Sequence, residues 1–64
     1  MRFELYKTDN VRIKKNGIIG TLVDEVYRKD KKKYLYILEE KDRDENGDYP
    51  LHDVWEDELE YIEN

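Results

Sequence analysis

The residues best equipped for chemistry are carboxylates. Asp42, Asp44, Asn46, Gly47, Asp48 and Asp53 follow the calcium-loop spacing D-x-[DN]-x-[DN]-G with an acid at position twelve. That spacing wraps hard oxygen ligands around one Ca2+, with glycine at the sharp turn. It departs from the full pattern in two places: Asp53 replaces the bidentate Glu, and Pro50 stands at position nine. The competing reading is a solvated acidic hairpin tip that turns on Asn46-Gly47. Calcium is therefore an alternative here, and no cofactor is expected. His52, the lone histidine, sits beside Asp53 and reads as an exposed, idle side chain rather than a base. Ser, Cys, Ala and Gln are all missing, and Thr8 and Thr21 are the only aliphatic hydroxyls. A Ser or Cys nucleophile with a His base is thus impossible, and so short a chain is poorly suited to enclosing a ligand pocket. The protein is expected not to be an enzyme.

Two other groups of side chains bear on binding. Lys14, Lys15, Arg28, Lys29, Lys31, Lys32 and Lys33 fall at loop positions, where cations beside exposed aromatics such as Tyr27 and Tyr34 would hold phosphates and stack bases. Set against this is a net charge of −5, which favours cations that pair with the protein's own acids. Six Tyr and Trp55 exceed what a small core hides. Tyr and Trp are enriched in interface hot spots, so Tyr34, Tyr36, Tyr49 and Trp55 are candidates for a protein-binding surface.

Length and composition limit what can position these groups. Sixty-four residues make one small domain, 1–64, which buries only about 60 % of its unfolded surface. The charge is split along the chain: residues 1–33 carry ten Lys and Arg against five acids, and residues 34–64 carry two against twelve. A basic half packed on an acidic half is the expected result. With no cysteine, neither a disulfide nor a thiolate metal site supplements the core. No 18-residue apolar run or signal-peptide pattern occurs, so no membrane association is expected and a cytoplasmic location is the default.

The apolar residues cluster in runs with the marks of strands. Val11-Arg12-Ile13 and the run from Ile18 to Tyr27 flank the turn signal Asn16-Gly17, and Gly20 suggests a bend or bulge in the second run. Arg28 to Lys33 is a polar loop, and Tyr34 to Glu39 is a third strand, apolar on both faces at its centre. Asn46-Gly47 leads toward a fourth strand, Leu51 to Trp55. Leu51, Val54, Trp55, Leu59 and Ile62 also share a helical face behind Pro50, but a turn over 56–59 followed by a strand Glu60 to Ile62 is preferred, because curved strands need a closing partner. Phe3 to Tyr6 reads as a further edge strand. The expected core is Val11, Ile13, Ile19, Val23, Val26, Leu35, Ile37, Val54, Leu59 and Ile62.

Asp9-Asn10-Val11-Arg12-Ile13 followed by Gly17-Ile18-Ile19-Gly20-Thr21-Leu22-Val23-Asp24 resembles the opening of small SH3-like barrels, including KOW-type and short stand-alone bacterial proteins. Those have a V-x-[LI] strand, then Gly-x-x-Gly-Thr-[VL]-Val, then a Tyr-x-[VL]-x-[FL]-Glu strand, which Tyr34 to Glu39 matches. Val54 to Ile62 is similar to their last strand, one-turn helix and closing strand, and the likeness spans about 55 residues. It implies an all-β, five-stranded SH3-like barrel with a one-turn 3-10 helix before the last strand. The aromatic pair and the proline-contacting surface of peptide-binding SH3 domains are not identifiable. Because this barrel hosts many unrelated tasks, function rests on the surface residues. The leading expectation is a protein-binding module, with a protein partner or a second copy of itself on an aromatic sheet face. One alternative is a KOW-like nucleic-acid-associated module using the basic loops; another is an acidic inhibitor presenting Glu56-Asp57-Glu58 to a nucleic-acid enzyme.

Overall fold

The computed structural model describes residues 2–62. Five antiparallel strands run in the order β1 Val11–Ile13, β2 Ile19–Arg28, β3 Lys33–Glu40, β4 Leu51–Trp55 and β5 Leu59–Tyr61, with a 3-10 turn over Glu56–Glu58. They form one sheet in the spatial order β4-β3-β2-β1-β5. The fold is all-β, with its one 3-10 turn before the last strand. The helical alternative for 51–62 is thereby overturned. Trp55 N–H donates to the Glu58 carboxylate at 3.0 Å, which stops β4 and turns the chain toward β5.

The turn residues act where their chemistry requires. Gly17 has φ 75°, Gly17 N–H donates to Ile13 O at 2.8 Å, and Asn16 Oδ1 accepts Ile18 N–H at 3.0 Å. Gly20 is not the bulge. A Cβ there would lie 2.2 Å from Glu39 O, so this glycine allows β3 to pass close to β2. The bulge lies further on: the β2–β3 register shifts between Leu22 and Asp24, leaving Val23 as the extra residue.

All five strands contribute to one core of Phe3, Val11, Ile13, Leu22, Tyr36, Leu38, Val54 and Leu59. Val11, Ile13, Val54 and Leu59 lie where the sequence puts them. Ile19, Val23, Val26, Leu35, Ile37 and Ile62 are not core residues; Val26 is 51 % exposed. β3 is the cause. Both of its faces are apolar, and the inward one carries Tyr36 and Leu38, because the Tyr36 hydroxyl accepts Phe3 N–H at 2.8 Å and so meets the condition for burying a phenol.

The segment 3–6 is not a strand. Its N–H groups go elsewhere: Phe3 to Tyr36, Glu4 to the Tyr61 hydroxyl at 2.9 Å, and Tyr6 to Leu22 O at 2.7 Å. Tyr6 itself is left-handed, at φ 60°, which breaks any extended run. Among the described residues no helix is long and apolar enough to cross a membrane.

Candidate functional site

Residues paired across antiparallel strands point to the same side of the sheet, so the register defines the face opposite the core. Val26 pairs with Leu35 and Leu35 with Trp55, making an apolar row across three strands. On one side of it lies the row Asp24, Ile37, Asp53, and beyond that Thr21, Glu39, Leu51; on the other side Arg28 pairs with Lys33. Val26 and Leu51 are more than half exposed, while Leu35, Ile37 and Trp55 are partly covered. Lys33 Nζ lies 5.0 Å from the Trp55 ring centre and 3.2 Å from Asp57 Oδ1. The outer face is therefore an apolar band with cations at one end and carboxylates at the other.

The four aromatic candidates do not come together. Trp55 alone lies on this face. Tyr36 is fully buried, and burial pushes its phenol above the usual tyrosine pKa, against the opposing effect of the Phe3 N–H. It therefore has no surface to offer a partner. Tyr34 lies on the core side, edge-on to Tyr27 at 5.1 Å, with the Arg2 guanidinium 4.9 Å above its ring. Tyr49 lies in the β3–β4 loop under the Arg43 guanidinium at 5.2 Å. The residues that build the outer band with Trp55 are Val26, Leu35, Ile37 and Leu51. Their signal in the sequence is the two-faced apolar character of β3, which requires one side to be left outside the core.

The seven cationic candidates divide into groups. Lys14 Nζ donates to Asp57 O at 3.2 Å, Lys15 Nζ is 3.9 Å from Glu58, and Lys33 pairs with Asp57, whose carboxyl it holds below the usual carboxylate pKa by hydrogen bonding. Arg28 pairs with Asp30 at 3.4 Å. Lys29, Lys31 and Lys32 in the β2–β3 turn pair with no carboxylate among the described residues, and Tyr27 beside them is 50 % exposed. The acids of the 3-10 turn are committed internally: Glu56 Oε1 accepts Tyr34 N–H at 2.8 Å, and Glu58 Oε1 accepts Trp55 N–H.

The calcium spacing does not gather its ligands. Asp44 Oδ1 accepts the N–H groups of Asn46 at 2.9 Å and Asp48 at 3.0 Å, so this carboxylate caps its own loop. Asp53 projects from β4 opposite Ile37. Among the described residues, Asp42, Asp44, Asn46, Asp48 and Asp53 included, no group of three or more His, Asp or Glu side chains is arranged to hold a metal ion. Gly47, at φ 82°, turns the loop as the hairpin reading expects. His52 is not idle: its Nε2 lies 2.5 Å from Glu40 Oε2.

Compared with protein-family models, curated proteins and solved structures, the chain matches none.

Proposed function

We propose that the protein is a non-catalytic binding module of SH3-like barrel type that engages a protein partner through the outer face of β2, β3 and β4. The strand order, the bulge at Val23 and the 3-10 turn before β5 support the barrel type. The observation that carries the binding role is the row Val26, Leu35, Trp55 on the side of the sheet away from the core. A contiguous apolar band rimmed by Asp24, Glu39 and Asp53 has the apolar-centre, polar-rim pattern of interfaces.

A second reading is favoured by one observation: among the described residues Lys29, Lys31 and Lys32 pair with no carboxylate, and they lie beside exposed Tyr27, as a phosphate-binding hairpin tip requires. The acidic-inhibitor reading loses support because Glu56, Asp57 and Glu58 already serve Tyr34, Lys33 and Trp55.

Photo-crosslinking in the cell separates the two remaining readings. With p-benzoylphenylalanine replacing Val26, adducts with polypeptide are expected. Nucleic-acid adducts from the same replacement at Lys31, with no polypeptide adduct at position 26, would overturn the protein-binding role in favour of the hairpin tip.

A further inference from the structure

We infer that the occupant of the outer face is a second copy of this chain, stacked sheet on sheet about a twofold axis that crosses the strands over the Val26–Leu35–Trp55 row. The inference rests on the outer face being a protein-binding surface and goes on to name the partner.

The layout of the rows selects this arrangement. An axis in the plane between two stacked sheets, running across the strands, sets the central row of each copy against itself and exchanges the rows on either side. Val26, Leu35 and Trp55 then meet their own counterparts, and apolar side chains suffer no penalty from self-contact. The exchanged rows are Arg28 with Lys33 on one side and Asp24 with Ile37 and Asp53 on the other. Arg28 of one copy thus lies over Asp24 of the other on β2, and the Lys33 stem lies over Ile37 on β3. Twofold symmetry forms each contact twice, the signature of an isologous interface.

The competing geometries are worse. An axis parallel to the strands stacks β2 on β4 of the other copy and sets Asp24 against Asp53, a like-charge contact in place of an attractive one. Pairing through the free edge of β4 is guarded. A symmetric antiparallel pairing centred on this strand sets Asp53 opposite Asp53, and Trp55 N–H is already donated to Glu58, which blunts the edge in the way natural sheets do.

The area sets the strength. Three strands about 4.8 Å apart and three rows about 6.8 Å apart cover roughly 300 Å2 in projection. Side-chain relief enlarges that, yet it stays below the roughly 800 Å2 per partner of a standard interface. The dimer is therefore weak and forms at high chain concentration. The ion pair that Arg28 makes with Asp30 at 3.4 Å joins two well-exposed groups, so it offers little resistance to a shared or exchanged partner.

Sedimentation equilibrium of the full chain tests this. The weight-average mass is expected to rise from 7.9 kDa toward twice that value as the chain approaches about 1 mM, the concentration reach of so small an interface. Asp24→Arg and Arg28→Asp are each expected to stay at monomer mass, and an equimolar mixture to recover the higher mass, since each reversed charge then meets its complement in both contacts. Both positions are exposed, and a dispersed amide spectrum confirms that each variant is folded. Variants that associate as the parent does, or a mixture that stays monomeric, would overturn the arrangement. A parent chain that remains monomeric at about 1 mM overturns self-pairing. If position 26 then still crosslinks a foreign polypeptide, the protein-binding face stands with another occupant; if it crosslinks none, both fall.

Discussion

The Tyr36 hydroxyl accepts the backbone N–H of Phe3 across 33 residues of chain. This one bond satisfies a buried main-chain donor and gives the buried phenol oxygen a partner. It also brings the two rings edge to face, with centroids 5.6 Å apart, and fixes which side of β3 faces inward.

Removing that acceptor has a cost beyond the bond itself. Tyr36→Phe keeps the ring and strands the Phe3 N–H, so urea unfolding is expected to show a loss of about 1–3 kcal/mol. The same hydroxyl gives stability an alkaline limb. Burial raises its folded pKa, so its contribution is complete below the unfolded value of about 10 and declines as pH climbs from there toward the folded value. Tyr36→Phe is expected to flatten that limb in unfolding measured from pH 8 upward.

Two glycines should respond oppositely in scale to the same substitution. Gly20→Ala drives a Cβ to 2.2 Å from Glu39 O and 2.7 Å from Leu38 Cδ2, both in the paired β2–β3 ladder. It is expected to cost at least about 3 kcal/mol or to prevent folding. Gly47→Ala meets nothing within 4 Å and faces only the strain of φ 82°, about 1 kcal/mol. Thermal unfolding of the pair ranks them.

The assignment of faces is open to a direct test. Val26→Thr is expected to change stability by less than about 0.5 kcal/mol, as for an exposed site. Leu22→Ala and Leu38→Ala, at fully buried positions, are expected to lose about 2–5 kcal/mol. Equal losses at Val26 and Leu38 would show that both sides of the sheet are core.

Asp57 carries an acid limb. Its folded pKa is depressed by the hydrogen bond from Lys33, so its contribution is present above the unfolded value of about 3.9 and is lost as pH falls through the folded one. Lys33→Met is expected to move the Asp57 carboxyl midpoint upward in a carbon-detected NMR titration. An unmoved midpoint would show that Lys33 is not its partner in solution.

Much of this architecture can be read from the residues. Asn16-Gly17 and Asn46-Gly47 mark real turns, Leu51–Trp55 is a strand, and the 3-10 turn and β5 follow within a residue of expectation. The split charge also finds its purpose: Arg12 with Glu60, Lys15 with Glu58 and Lys33 with Asp57 join the basic half to the acidic half. The orientation of β3 is what local reading misses. Tyr34-Leu35-Tyr36-Ile37-Leu38 offers apolar side chains both ways, and the choice depends on a hydrogen bond to Phe3 that no local window contains. That single inversion moves Leu35 and Ile37 outside and Tyr36 inside, which redraws the candidate surface.

β1 is only three residues long, yet it is paired on both edges, with β2 through Val11 and Gly20 and with β5 through Val11 and Tyr61. Its second partner, β5, follows only after β2, β3 and β4 in sequence. During synthesis β1 and the β2–β3 hairpin emerge with their inward side chains still open to water, and Leu59, which closes the core, arrives only with β5. Contacts of such long sequence separation are slow to form. Completion of this fold thus waits for β5, however early the β2–β3 hairpin begins to form.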